Sequence, residues 1–211
     1  AASPARLPDG PVLPSHIQPR AVLLVTFGFA LSGFLLSAIL AQMVPMLQAL
    51  GLGASALLVS TLFGPAQVLV RFVNMIFGAR RHPLLITILA AILPVAALIV
   101  MGTAPMVLGA GVFAVLLGFG SGLKSIVQGT LPLALFGSAS YGARLGRIAL
   151  VRQFLAAMAP FSFALASDQF GTTTALLVLV FIALFGFAAF LEVARMRQRL
   201  CDSDYAASKA A

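Results

Sequence analysis

Hydrophobic residues run along this chain in six long blocks, separated by short clusters of polar, charged or helix-breaking residues. The blocks cover residues 21–47, 54–78, 83–102, 106–135, 146–167 and 172–194. About 20 apolar residues in a helix cross a hydrocarbon core of about 30 Å, so each block predicts a transmembrane helix. The separators are recognisable as breaks: "GLGA" from Gly51, "ARRHP" from Ala79, "GTAP" from Gly102, "GSASYGAR" from Gly137 and "SDQFG" from Ser167. Before the first block, residues 1–20 form a Pro-rich stretch. Without a basic region leading into a short apolar run, it reads as a cytoplasmic linker joining two membrane domains and not as a secretory signal. Residues 196–211 form a polar tail, which leaves 21–195 as the six-helix domain.

Composition supports the same class. Of 211 residues, 61% are hydrophobic and 9% charged, with mean hydropathy +1.10. A soluble domain carries roughly 25% charged residues, and so few cannot cover a water-soluble fold. The chain is predicted to be an all-α integral membrane protein with the lipid bilayer as its first partner. Its net charge of +8 does not point to nucleic acid, because the basic residues fall between apolar runs instead of forming one patch. Arg6 and Arg20 precede the first block, Arg80 and Arg81 follow the second, and Arg144 and Arg147 follow the fourth. Arg195, Arg197, Arg199 and Lys209 follow the sixth. The alternate hairpins contain no Lys or Arg, only Asp168. The positive-inside rule then predicts both termini in the cytoplasm, in a membrane such as a bacterial inner membrane. The single cysteine, Cys201, offers no internal disulfide and no metal cluster, and nothing suggests a metal or other cofactor.

Two blocks share an interruption at matched places. Pro65 sits in "LFGPAQ" of the second block and Pro160 in "AMAPFS" of the fifth, and each removes a backbone hydrogen bond in mid-helix. Matching interruptions in two three-helix units suggest an inverted 3+3 repeat, the plan of many secondary transporters. With the Pro-rich lead-in, the six spans, "GARRH" after the second block and "LFGSASYGARLGRIALVRQF" between the fourth and fifth, the chain resembles the carboxy-terminal six-helix half of a major facilitator superfamily (MFS) transporter over about residues 18–195. The family's loop motif, G-x-x-x-D-[RK]-x-G-[RK]-[RK], corresponds here to "NMIFGARRHP". Arg80 and Arg81 keep its basic character, but Gly78 stands where the acid belongs, so no charge-relay role transfers to that position. The resemblance implies a partner: an amino-terminal six-helix half, or a second copy of the chain. The absence of an initiator Met favours the former. The solute site would lie near the midplane between the halves.

An ionisable group inside a membrane helix is costly, so it usually faces a cavity or another polar group. In the second block Ser60, Gly64, Gln67, Arg71, Asn74 and Gly78 fall at alternating spacings of 4 and 3, on one helical face. That face reads as a pathway lining, with Arg71 snorkelling to the interface as the competing reading. In the fourth block Ser121, Lys124 and Gln128 share a face beside Gly118, Gly120 and Gly122, which permit a close helix neighbour. Lys124 either faces a cavity or reaches the cytoplasmic surface, depending on whether its helix is long and tilted or breaks near Gly129 and Pro132. Arg152 reads as interfacial, and Gln153 as a pathway candidate continuing to Ala157 and Pro160. The small-residue face of the first block, Thr26, Gly33 and Ser37, reads as helix packing. Glu192 is expected to pair with the Arg195–Arg199 tail.

Glu192 stands near the end of the sixth block and no Asp or Glu lies in the interior of any block, so the interior charges are cationic and favour an anionic substrate. The expected function is secondary transport of a small solute, such as an organic anion, by alternating access. The alternatives are a drug or metabolite efflux permease of the same superfamily, or a non-transporting membrane scaffold or receptor. An enzyme is disfavoured: His16 and His82 have no carboxylate beside them, and no GxxxxGK[ST] nucleotide loop is present.

Overall fold

The computed structural model describes residues 13–14, 16–78, 82–104, 106–138 and 140–210, with the side chains of 201, 203–208 and 210 not described. The described residues fold into helices without a β-strand. They are α1 (Gln18–Leu47), α2 (Ser55–Thr61), α3 (Phe63–Phe77), α4 (Pro83–Thr103), α5 (Val107–Phe136), α6 (Tyr141–Phe170) and α7 (Thr172–Ala210). Counting α2 and α3 together, six spans are long and apolar enough to cross a membrane. Arg80, Arg81 and most of the Pro-rich lead-in lie outside the described residues.

Backbone chemistry accounts for the boundaries. After α1 the chain makes a wide π-type turn over Gln48–Leu52, where Gly51 (φ 91°) and Gly53 (φ 53°) take left-handed conformations that favour glycine. The second span breaks at Leu62. Pro65 lies three residues on, in the first turn of α3, where a missing N–H leaves no extra unpaired group. Pro160 behaves differently, because α6 runs through it without a break. Its ring deprives the Ala156 carbonyl of a helical donor, and the Ser37 hydroxyl of α1 donates to that carbonyl at 2.7 Å. The matched prolines therefore give one broken and one continuous span.

Three ends differ from the blocks read in the sequence. Helix α6 starts at Tyr141, not 146. The Tyr141 hydroxyl donates to the Gly129 carbonyl at 3.0 Å, and Arg144 donates to the Phe136 carbonyl at 2.9 Å. These bonds tie the start of α6 onto the end of α5 and leave little loop between them. Helix α5 continues through Pro132 to Phe136 as one helix, which settles the choice between a long helix and a broken one. Helix α7 passes the expected end at 194 and continues to Ala210, so the polar tail is helical. His82 caps α4, its Nδ1 accepting from the Leu84 N–H at 3.1 Å. Burial first, and Arg197 second, hold its pKa below the ordinary imidazole value.

Packing follows a definite order. Helix α1 lies against α6 and α7, α5 against α4 and α3, and α4 against α7. Buried apolar residues form two separate cores. One, at the end holding the α1–α2 turn, includes Leu35, Met43, Met101, Leu117, Phe163 and Leu179. The other, at the opposite end, includes Val25, Phe29, Leu84, Leu131, Ile148 and Phe190. In that second core the rings of Phe29 and Phe190 meet edge to face, 5.1 Å between centroids. The α2–α3 span and α6 are the least buried of the six spans and α5 the most.

Candidate functional site

The two cores do not merge, and the level between them is where the polar side chains gather. Along α5 the first core reaches Leu117 and the second resumes at Leu123; along α1 they are separated between Phe29 and Leu35. Ser32 and Gly33 of α1, Pro94 of α4, Ser121 of α5 and Arg152 of α6 all fall at this level. Lys124 stands at its edge on α5. A helical side chain leans toward its helix N-terminus, which carries the Lys124 ammonium back into the gap. By helix rise Lys124 is ~26 Å from the start of α5 and ~18 Å from its end. It therefore lies within the bundle and does not reach its surface.

Glycine makes this arrangement possible on α5. A Cβ on Gly118 would stand 2.6 Å from the Phe63 carbonyl of α3, and one on Gly120 would stand 2.8 Å from the Pro94 ring of α4. The two flanking helices press onto the α5 backbone on either side, and Lys124 is left at 8% exposure. Among the described residues Lys124 has no carboxylate within ion-pair distance and no hydrogen-bond partner. Its side chain instead borders hollow space. It lines an open cavity of about 530 Å³ between α1, α5 and α6, together with Gly33, Ser37, Arg152 and Ala156. On its other sides it borders two hollows of about 20 Å³ and 10 Å³, lined by Ser32, Ala90 and Ala91. Those are the size of a water molecule or less, whereas the open cavity has the volume of a small-ligand site.

Polar links connect this site to two neighbouring helices. The Gln67 amide of α3 donates to the Ser121 hydroxyl at 2.7 Å. Arg152 of α6 donates through Nη1 to the Gln128 side-chain oxygen at 3.0 Å. Ser121, Lys124 and Gln128 thus form one polar strip along α5, with Gln67 of α3 bonded to Ser121 and Arg152 of α6 bonded to Gln128.

The other sequence candidates are placed elsewhere. Arg71 is exposed on α3 and makes no hydrogen bond or ion pair among the described residues. Asn74, on the same helix, is half-exposed. Gln153 is on the exposed face of α6, away from the cavity lining. Arg80 and Arg81 fall outside the described residues. Arg152, read as interfacial, is half-buried and stands ~16 Å along α6, because the helix begins five residues earlier than expected. The sequence signal for it was its position on the same face as Ala156 and Ala159, small residues that let α1 approach. On α1 itself, a Cβ at Gly33 would stand 2.8 Å from the Arg152 side-chain stem, so the small-residue face of the first span packs as expected while also admitting this arginine. Glu192 pairs with Arg20 at 3.7 Å and Arg195 at 4.0 Å. Three or more His, Cys, Asp or Glu do not come together as a metal site among the described residues.

Compared with known proteins, the sequence matches no protein-family model, and it matches no curated protein. The site's geometry therefore carries the functional reading.

Proposed function

We propose that the chain is the carboxy-terminal six-helix unit of an MFS-type secondary transporter, moving a small organic anion by alternating access. The observation that carries this reading is the unpartnered Lys124 opening, midway along a six-span bundle, into a cavity of ligand size. A buried cation without a counter-charge destabilises a fold, and a site for a transient anion gives it a function that offsets this cost.

The order of helix neighbours supports the family reading. Exchanging the first three spans for the last three turns the α1–α6 contact into that of α5 with α3. It also turns the α4–α5 contact into that of α7 with α1, and leaves α4–α7 as itself. An inverted 3+3 repeat has this property. The least-buried spans, α2–α3 and α6, occupy the same place in the two triplets. Their exposed faces, carrying Arg71 and Gln153, suit apposition to a second six-helix unit, with both termini on the cytoplasmic side as the loop charges direct.

Labelling a cysteine in the cavity tests the transport reading. In a Cys201→Ser background, Ala156→Cys is treated with a membrane-impermeant thiol reagent in right-side-out and in inside-out vesicles. Alternating access predicts reaction from both sides. Reaction from one side alone contradicts it and favours a non-transporting scaffold.

A further inference from the structure

Two cations share the open cavity. Lys124 approaches it from α5 and Arg152 from α6, and both line it. Neither has an acidic partner among the described residues, whose ion pairs involve only Glu192 with Arg20 and Arg195. The cavity-lining residues include no Asp or Glu. Asp168, the other described acid within the six spans, lines a separate hollow with Gln42 and Thr172.

Arg152 is held in place by a neutral acceptor. Gln128 takes one of its five N–H groups, and its aliphatic stem rests on Gly33. The guanidinium is thereby oriented while its charge remains uncompensated. Lys124 keeps all three ammonium donors free. Like charges in a low-dielectric interior repel, so the pair is stabilised by a ligand that neutralises both.

We infer that this cavity is a binding site for a small organic dicarboxylate, one carboxylate meeting the Lys124 ammonium and the other the Arg152 guanidinium. The inference rests on the transporter reading for its biological role and goes beyond it in naming the substrate class and the residue pair.

Three features favour this class over other anions. One dianion neutralises two cations, whereas a monocarboxylate leaves one of them bare. The remaining lining is apolar or small, with Leu36, Leu40, Ala41 and Ala156 prominent, which suits a short hydrocarbon spacer between two charged ends. Phosphate or sulfate concentrates its charge on closely spaced oxygens and needs a dense set of donors. The cavity has few beyond the two cations, because the Ser37 hydroxyl is committed to the Ala156 carbonyl. Arg152 adds planar, two-point recognition of a carboxylate, and Lys124 acts as a compact point charge.

The test is a binding titration of the protein in lipid nanodiscs with succinate, propionate and inorganic phosphate, read by isothermal calorimetry. Succinate is expected to bind saturably and more tightly than propionate or phosphate. Lys124→Gln and Arg152→Gln each lose a charge-assisted contact and weaken succinate by about tenfold or more. Lys124→Arg keeps the charge and retains saturable binding. Arg147→Gln removes an exposed cation outside the cavity and leaves succinate binding unchanged. Elution of each variant as a monodisperse species establishes that it is folded. The inference is overturned if succinate does not bind, if phosphate binds as tightly, or if both glutamine variants bind succinate like the native protein. Two-sided labelling at position 156 without succinate binding leaves the transporter reading standing and removes the dicarboxylate site. Succinate binding with one-sided labelling does the reverse.

Discussion

The second and fourth spans carry the same kind of polar stripe and meet opposite fates. Each puts one cation among small and amide residues at helical spacing, Arg71 with Gln67 and Asn74, Lys124 with Ser121 and Gln128. In the folded unit Arg71 is exposed and Lys124 is 8% exposed. The difference lies in the neighbours. Helix α3 leans on α5 and on little else, while α5 is pressed between α3 and α4. Periodicity identifies which residues share a face. What that face meets depends on how many helices surround it, and glycine on the helix sets how close they come. Gln67 shows the boundary between the two regimes: it lies on the exposed span, yet it reaches across to Ser121.

The contrast between the two spans has a steric basis. Gly118→Leu puts a branched side chain where the Phe63 carbonyl stands within 2.6 Å of a bare Cβ. Overpacking typically costs about 1–3 kcal/mol and more where backbone must move. The variant is expected to unfold at substantially lower temperature, or not to accumulate in the membrane, as read by the melting curve of a fluorescent fusion. Gly142→Leu, at a glycine with open space around it, should melt close to the native value. Equal melting of the two variants would show that the α3–α5 approach is not tight.

A smaller effect separates the two cations themselves. Lys124→Met removes a buried charge that has no partner in the resting unit, with little change in side-chain length. It is expected to raise stability by about 1 kcal/mol or more while abolishing ligand binding. Arg71→Met, at an exposed position of this unit, should change stability by less than about 0.5 kcal/mol. A loss of stability in Lys124→Met would mean that the ammonium has a structural partner, and the reading of Lys124 as part of an anion site would fail.

Much of the fold was legible because bilayer thickness and backbone hydrogen bonding leave few options for blocks of this length. The breakers at Gly51, Gly102, Gly137 and Gly171 lie at observed helix ends for the same reason. What the sequence concealed depends on contacts distant along the chain. Tyr141 and Gly142 read as loop, but Tyr141 and Arg144 anchor that stretch to the end of α5 and it is helical, which places Arg152 about three turns into α6. At Pro160 nothing local shows that Ser37 supplies a donor for the carbonyl the ring leaves unpaired. The depth of Lys124 was likewise hidden, since Pro132 was as compatible with a broken helix as with a continuous one. Of the candidate pathway residues, Gln67, Ser121, Lys124 and Gln128 meet in one strip, while Arg71, Asn74 and Gln153 remain on outward faces of this unit.

Lys124 and Arg152 line an open, cationic cavity midway along the bundle. Its most direct test is the rate at which Ala156→Cys, with Cys201→Ser, reacts with negatively and positively charged thiosulfonate reagents of similar size. Faster modification by the negative reagent is expected, with the ratio falling toward one when Lys124→Met is added. No reaction at position 156, or equal rates for the two charges with Lys124 in place, would contradict it.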